Sequence, residues 1–318
     1  MADDARRATA GHLGAPLLDS APNAEHRLPQ TGRDLSSAAV NEFDSVQHVY
    51  EPHRVGLPPL GPYLRELWRR REFALELSRT DVRAQHFNTV FGQLWLVLNP
   101  LLLACVFFVL VDILRARTGG LEFFAHLMAS LFAYHFVTDA IRQAVRSVVG
   151  GGRLILNTAF PRVLLPGASV LTAFKRFLPT IAIFIPVYLI ADPDFGPVLL
   201  WLFPIFALFV IVACGFAMLA AAGQVYFRDL KNFLNYMLRI WLFGSPILYY
   251  AWQVPERYEF LLYVNPIAPL LTAWSAVLDR GVAPDLSDLA LGAAWGIVLF
   301  VAGGLFFISR EREFAVRL

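Results

Sequence analysis

Charged side chains are scarce in this chain of 318 residues: Asp, Glu, Lys and Arg make up 16% of it, and 57% of it is hydrophobic. Soluble globular proteins carry roughly 25% charged residues and about 45–50% apolar ones, so the composition excludes an ordinary soluble domain. Lysine is rarer still, because only Lys175 and Lys231 occur among the 27 basic residues. The formal net charge of +2 and the scattered arginines argue against a nucleic-acid-binding surface.

Residues for metal binding or covalent catalysis are equally scarce. Cys105 and Cys214 lie inside apolar runs, where a free thiol packs as a small hydrophobic group. His126 and His135 are nine residues apart, a spacing poorly suited to a shared metal. Neither lysine ends a glycine-rich phosphate-binding loop, so the chain lacks a Walker-type ATP site. We therefore expect no catalytic residue, no metal and no cofactor here, and any ATP-driven step requires another subunit.

Long uncharged segments dominate the rest of the sequence. Residues 84–111, 195–227, 260–278 and 289–309 contain no Asp, Glu, Lys or Arg. A helix needs roughly 20 apolar residues to cross a hydrocarbon core of about 30 Å. These segments have that length, which predicts an all-α integral membrane protein.

Six transmembrane helices and one shorter insertion are predicted. The spans lie at about 94–114, 121–149, 166–190, 197–226, 233–251 and 289–309. Pro266 and Pro269 interrupt the remaining apolar run at 258–278. Because proline removes backbone donors and irregular backbone cannot face lipid, this run is predicted as a re-entrant helix pair between the fifth and sixth spans.

Two polar segments precede the first span. Residues 1–58 are rich in Ala, Pro, Asp, Arg and Ser without periodicity, which predicts a disordered cytosolic tail and no cleaved secretory signal. The membrane domain is expected at 59–318, and it begins with 63–90, where an apolar stripe that includes Leu64 and Trp68 is surrounded by arginines. This pattern favours an amphipathic helix in the membrane interface, and the alternative is a soluble helix packed on a cytosolic partner.

Basic residues predict the orientation through their excess on the cytosolic side of a membrane. With the N-terminus in the cytosol, the arginines before the first span and those of the second and fourth loops fall on the same side. That side then includes Arg153, Arg162, Arg228, Lys231 and Arg310. Both termini are therefore predicted to be cytosolic.

Charged side chains inside the spans are candidates for a functional path. His135, Asp139, Arg142 and Arg146 are spaced by four, three and four residues, so they share one face of the second span. Charges in a membrane are costly and usually face a water-filled cavity or a protein partner. The face either lines a translocation path or projects into the cytosol as a solvated pair of Asp139 and Arg142.

Basic residues also occur in the third span and aromatic residues gather near the predicted outer surface. Lys175 and Arg176 either extend to the headgroup region or bind an anionic headgroup or pyrophosphate. The aromatic side chains either form a belt at the membrane interface or stack on sugar rings along a glycan path. The path candidates among them are Tyr249, Tyr250, Trp252 and Tyr263.

Several short motifs follow one another along the sequence. They are Thr80-Asp81-Val82-Arg83, Gly92-Gln93-Leu94-Trp95, Leu98-Asn99-Pro100, Asn157, Phe160-Pro161-Arg162, Leu165-Pro166, Arg228-Asp229-Leu230, Ser245-Pro246-Ile247 with Tyr249, and Asn265-Pro266. In these motifs and their order, the chain resembles the permease subunit of ABC-2 type polysaccharide exporters, the family that moves O-antigen, teichoic acid, capsule and mycobacterial galactan. The resemblance covers about residues 63–318.

This resemblance implies a bacterial cytoplasmic membrane complex in which two copies of the chain pair with two nucleotide-binding ATPase subunits. Those subunits would supply ATP and Mg, and the substrate would be a lipid-linked glycan. The implied ATPase-coupling residues are Asn157, Phe160, Pro161, Arg162, Arg228 and Asp229. The implied headgroup or pyrophosphate entry residues are Arg79, Arg83, Lys175 and Arg176. The translocation path would include His135, Asp139, Tyr249, Tyr250, Trp252 and Tyr263.

Further expectations concern the substrate and the coupling residues. Arginine-rich, lysine-poor usage favours a galactan of the mycobacterial type. The alternatives are an ABC-2 permease for a small lipophilic compound and a polytopic membrane glycosyltransferase or acyltransferase. Replacing Arg162 by Glu is expected to weaken ATPase docking without unfolding the permease.

Overall fold

The computed structural model describes residues 57–85, 92–114, 120–191 and 196–318. The predicted tail lies outside these ranges except for its last two residues, and so do residues 86–90 of the predicted interfacial segment. Regular structure in the described ranges is helical, without strands. In chain order the helices are α1 (Leu60–Arg69), α2 (Arg71–Gln85), α3 (Trp95–Leu114), α4 (Gly120–Gly150), α5 (Gly152–Asn157), α6 (Leu164–Ile190), α7 (Leu202–Tyr226), α8 (Leu230–Phe243), α9 (Phe260–Val264), α10 (Ala268–Asp279), α11 (Leu286–Arg310) and α12 (Phe314–Arg317).

Five of the described helical segments are long and apolar enough to cross a membrane. They contain α3, α4, α6, α7 and α11, and they match five of the predicted spans. Helix α9 with its preceding turn and helix α10 form a pair bent by 103°, which gives a sixth segment if the pair is counted as one span. The prediction of an all-α membrane protein is therefore confirmed at this level.

The predicted fifth span is shorter in the structure than the sequence suggested. Helix α8 has 14 residues and ends at Phe243, although the apolar run continues to about residue 251. A helix of that length rises only about 21 Å. Gly244, Ser245 and Pro246 follow, and proline lacks the N–H that would continue the helix.

Asn265 fixes the turn that ends α8. Its side-chain amide donates to the Gly244 carbonyl at 3.0 Å and to the Ser245 hydroxyl at 2.9 Å. Its side-chain oxygen accepts from the Trp241 indole at 2.8 Å. The two proline motifs, Ser245-Pro246 and Asn265-Pro266, therefore meet in one buried hydrogen-bonded corner.

Helix α4 forms the centre of the bundle. Of its most apolar window, 72% is buried, against 17–28% for the other four candidate spans. It packs on α3, α6, α7, α8 and α10. Because its neighbours cover it on most sides, α4 is the helix whose polar residues are most strongly constrained by packing.

Helices α7 and α11 approach each other at glycines. A Cβ atom on Gly215 would lie 2.5 Å from the Leu299 carbonyl carbon, and one on Gly303 would collide with the carbonyl oxygen of Gly215. Only residues without a side chain permit this approach of the two backbones. The last span is thereby held directly against α7.

The predicted N-terminal helix is two helices with a break at Arg70. The Arg70 guanidinium donates to the Ala159 carbonyl at 2.6 Å, which connects the break to the loop before α6. In α2, Ala74 packs with Leu164 and Ala168 at the start of α6. In α1, the side chains of Leu64 and Trp68 are 57% and 66% exposed. This exposed apolar face is compatible with a membrane interface, and the interfacial location stays a prediction.

Candidate functional site

A cavity with both charged and apolar lining residues lies between α3, α4 and α6. Its volume is about 310 Å³, and its ionisable lining residues are His135, Asp139 and Arg142 from α4 and Arg176 from α6. Apolar side chains complete the wall, including Phe132, Phe136 and Phe177. The spacing of the α4 residues predicted a common face, and the structure brings that face together with Arg176. The role of this face in translocation stays a prediction.

Asp139 lies between two arginines in this cavity. Its carboxylate oxygens are 3.6 Å from Nη1 of Arg142 and 3.7 Å from Nη1 of Arg176. Both distances exceed those of normal hydrogen bonds between N–H and O. The two guanidinium groups are therefore attracted to one carboxylate without being saturated by it.

Two buried polar atoms in the same place have no hydrogen-bond partner among the described residues. They are Nε2 of His135 and Nε of Arg176. A buried polar atom without a partner costs roughly 1–3 kcal/mol. Such atoms in a cavity are typical of a site that accepts a ligand or water.

A second cavity of about 670 Å³ adjoins the first, since Asp139, Arg142 and Arg176 line both. Arg146 from α4 and Asp81 from α2 add further charges. Burial raises the pKa of the Asp81 carboxyl above its usual range. We call the two cavities together the basic cleft, and in it three arginines face two carboxylates.

The predicted entry residues do not form one cluster. Lys175 does not line either cavity, and its ammonium group lies 3.4 Å from the Leu75 carbonyl of α2. Arg79 pairs with Glu76 at 2.5 Å on the exposed face of α2, and Arg83 is also exposed. Of the four candidates, Arg176 alone lines the basic cleft.

Glu311 organises the loop that was predicted to contact an ATPase. Its carboxylate accepts from the Tyr63 hydroxyl and from the Arg162 backbone N–H, each at 2.5 Å. The Arg162 guanidinium donates to the Glu311 carbonyl oxygen. Burial, reinforced by the Glu311 carboxylate, raises the pKa of Tyr63, and burial lowers the pKa of Arg162. Sequence reasoning missed this cluster, because nothing in the spacing links residues 63, 162 and 311.

The coupling candidates divide into exposed and internal groups. Asn157, Arg228 and Asp229 are exposed, whereas Pro161 is buried and Phe160 contacts Phe73 with ring centroids 4.9 Å apart. Further exposed residues flank the exposed candidates and were not predicted from the sequence as coupling residues. They are Arg153, Leu156 and Phe227, of which Leu156 is 62% and Phe227 71% exposed.

A buried glutamine shapes the turn between α7 and α8. The Gln224 side chain donates to the Arg228 carbonyl at 2.7 Å and accepts from the Lys231 backbone N–H at 2.8 Å. Glu313, just after α11, accepts from the Tyr226 hydroxyl at 2.7 Å and pairs with Arg310 at 2.9 Å. The segment that follows α11 thus contacts the end of α7 as well as the loop before α6.

The aromatic path candidates lie toward the other end of α4. Tyr250 and Trp252 stack with ring centroids 5.5 Å apart, and Tyr250 also contacts His126 at 4.3 Å. His126 Nδ1 lies 2.6 Å from an Asp279 carboxylate oxygen, a pairing that the sequence did not predict. Trp252 and Tyr263 line a cavity of about 190 Å³ with Glu259 and Asp288. Tyr249 is half-buried outside this cavity.

Comparison with known proteins gives relatives that align with most of the chain. No family model matches it. An O-antigen export system permease protein RfbA of Klebsiella pneumoniae is 25% identical over 241 residues, which cover 75% of this chain and 92% of the relative. A second such protein of Klebsiella pneumoniae is 26% identical over 246 residues, with 75% and 92% coverage. One of Myxococcus xanthus is 26% identical over 259 residues, with 79% and 97% coverage.

Proposed function

We propose that this chain, whose predicted resemblance to polysaccharide-export permeases is confirmed by its relatives, is the permease subunit of an ATP-driven exporter in the bacterial cytoplasmic membrane. The substrate is a lipid-linked cell-surface polysaccharide. The observation that carries the proposal is the alignment of at least 75% of the chain with proteins named as O-antigen export permeases. The arginine-rich, lysine-poor composition favours a galactan of the mycobacterial type as the glycan.

The proposed assembly contains two permease chains and two nucleotide-binding ATPase subunits, which hold ATP and Mg. An ATPase partner is required because the chain has no phosphate-binding loop of its own. Exposed Arg153, Leu156 and Asn157 on and around α5 offer a docking surface that combines apolar and polar groups. The exposed turn at Arg228 and Asp229 belongs to the same proposed contact.

The proposed topology has six spans, with α8 as a short fifth span and the bent pair α9–α10 as a re-entrant element. Both termini are cytosolic, and α1–α2 lies in the headgroup region on the cytosolic face of the membrane. Exposed Leu64 and Trp68 support that placement, since an apolar face partly buried in the headgroup region stabilises such a helix. The aromatic rings of Tyr250, Trp252 and Tyr263 then line the outer part of the glycan path.

Arg162 has a different proposed role from the one suggested by its motif. Its backbone and side chain bind Glu311, and Glu311 binds Tyr63. Movement of the docking loop at α5 therefore displaces both the end of α11 and helix α1. We propose that Arg162 transmits movement of this loop to the end of α11 and to α1. Direct contact with the ATPase is assigned to the exposed residues around Arg162.

Depletion of the chain in its native cell tests the proposed function. Lipid-linked glycan should accumulate on the cytosolic leaflet and decline at the cell surface, and re-expression of the wild-type chain should reverse both effects. Leaflet location is measured by the accessibility of the glycan to a membrane-impermeant glycosidase in intact and permeabilised cells. Normal arrival of the glycan at the outer leaflet, together with retention of a small lipophilic compound, would instead identify a small-molecule permease.

A further inference from the structure

We propose that the basic cleft binds the phosphate-bearing headgroup of a lipid inside the helix bundle, with Arg142 and Arg176 as the phosphate ligands. The assignment rests on the proposed function for the identity of that lipid, which is the pyrophosphate-linked carrier of the glycan. It differs from the entry site predicted from the sequence, because exposed Arg79 and Arg83 have no part in it.

Charge is the first argument for this site. In the smaller cavity two guanidinium groups face the single carboxylate of Asp139. The larger cavity adds Arg146 and Asp81, so positive charge again exceeds negative by one. An uncompensated cation within a membrane protein is costly, and a bound anion removes that cost. The planar guanidinium fork is suited to phosphate oxygens, which it binds in pairs.

Incomplete hydrogen bonding is the second argument. Nε of Arg176 and Nε2 of His135 are buried without partners among the described residues, and both residues line the same cavity. The nearest carboxylate oxygen to Arg176 Nη1 is 3.7 Å away. Phosphate oxygens between Arg142 and Arg176 would accept hydrogen bonds that Asp139 does not. His135 is placed to donate a further one.

The wall of the cavity distinguishes a lipid from a free anion. Apolar side chains of α3 line the same 310 Å³ space as the two arginines and are only partly buried, namely Trp95, Leu96, Pro100 and Leu103. An inorganic anion leaves these apolar walls facing water, whereas a headgroup with an attached hydrocarbon chain covers them. The site is therefore matched to an amphiphile whose charged end is phosphate.

Asp139 acts as the internal competitor of the ligand. Its carboxylate lies between the two guanidinium groups and lowers the electrostatic energy of the cavity. A phosphate group that enters must displace this attraction. Removing the carboxylate should therefore strengthen phosphate binding, whereas removing either arginine should weaken it.

Equilibrium binding to the full-length chain in phosphatidylcholine nanodiscs tests the site. The probes are geranyl pyrophosphate, inorganic pyrophosphate and the uncharged alcohol geraniol. The variants are Arg142→Gln, Arg176→Gln and Asp139→Asn, and Arg69→Gln is the matched control because its side chain is 72% exposed and paired on the surface with Glu66. The unfolding temperature of each variant without probe identifies any misfolded protein.

Binding of geranyl pyrophosphate should weaken about tenfold or more in each arginine variant, the loss expected for a charge-assisted hydrogen bond. It should strengthen severalfold in Asp139→Asn and stay unchanged in Arg69→Gln. A merely structural role of the cluster would not produce opposite signs. Wild-type affinity in all three cleft variants would overturn the proposal. Should one arginine variant misfold, Asp139→Asn still decides the question through the sign of its effect.

The other two probes distinguish a lipid headgroup from a free phosphate. If inorganic pyrophosphate and geraniol both bind more weakly than geranyl pyrophosphate, the ligand is a lipid headgroup. If inorganic pyrophosphate binds as tightly as geranyl pyrophosphate, the lipid assignment is overturned. If geraniol binds as tightly as geranyl pyrophosphate, the role of the arginines is overturned. Failure of the proposed transport function appears separately, as normal glycan export after depletion while the probe still binds.

Discussion

The carboxylate of Glu311 accepts a hydrogen bond from the Tyr63 hydroxyl at 2.5 Å, across 248 positions of the sequence. The end of α11 and helix α1, the first helix of the described residues, are joined at this point. Because Arg162 donates to the same glutamate, three segments that differ widely in sequence position share one acceptor. Any movement of the loop before α6 has to be accommodated at this junction.

Replacing Tyr63 by Phe removes the hydroxyl and leaves one oxygen of a buried carboxylate with one donor fewer. We expect the free energy of unfolding to fall by about 1–3 kcal/mol. The measurement is thermal unfolding in a mild detergent, and Tyr236→Phe is the control because that side chain is 67% exposed. Equal unfolding temperatures for the two variants would contradict the role given to Glu311.

Charge reversal at two arginines distinguishes a residue that contacts the ATPase from one that transmits movement inside the permease. Arg153→Glu changes an exposed residue, so it should reduce recovery of the ATPase with the permease while leaving the unfolding temperature unchanged. Arg162→Glu places a second carboxylate beside Glu311, so it should also lower the unfolding temperature. The internal contacts of Arg162 thus revise the expectation, drawn from its predicted place in a cytosolic loop, that this reversal does not unfold the permease. If Arg162→Glu is as stable as the wild type, the revision is wrong.

The backbone contact between α7 and α11 predicts a difference between two adjacent glycines. Alanine at Gly303 would collide with the Gly215 carbonyl, whereas alanine at Gly304 would meet only the flexible Met218 side chain at 3.7 Å. We expect Gly303→Ala to lower the free energy of unfolding by about 1–3 kcal/mol, the usual range for overpacking. Gly304→Ala should be close to neutral. Chemical denaturation of both variants in the same detergent makes the comparison, and a neutral Gly303→Ala would refute the close packing.

The buried corner after α8 depends on one amide. Asn265→Ala leaves the Trp241 indole and the Gly244 carbonyl without their partner, so the free energy of unfolding should fall by about 1–3 kcal/mol or more. The loss should be accompanied by faster proteolytic cleavage between α8 and α9. Asn232→Ala, at an exposed position of α8, serves as the control. Cleavage at the same rate in both variants would argue against the role of Asn265.

Apolar length and helical spacing were sufficient to predict much of this architecture. The uncharged runs identified α3, α7 and α11, and the spacing of His135, Asp139 and Arg142 identified one face of α4. Hydropathy missed the end of α8 because residues 244–251 remain mostly apolar after the helix stops. The backbone chemistry of Gly244 and Pro246, together with the amide of Asn265, decides that boundary.

Residues that act across helices could not be predicted from local patterns. The contact of Asp139 with Arg176 joins α4 to α6, and the contacts of Glu311 join α1 and the loop before α6 to the end of α11. The different surroundings of Lys175 and Arg176 could have been predicted. Successive residues of a helix point about 100° apart, because a turn contains 3.6 residues. Lys175 and Arg176 therefore face different neighbours, although their adjacency in sequence suggested a single basic site.

The most direct test of the proposed transporter is the composition of the intact complex. A tagged chain is purified from native membranes in several mild detergents, and the mass of the complex is measured together with the identity of its subunits. Our account predicts two copies of this chain with two copies of a nucleotide-binding subunit. A chain that is recovered alone in every detergent, with ATP-independent function, would contradict it.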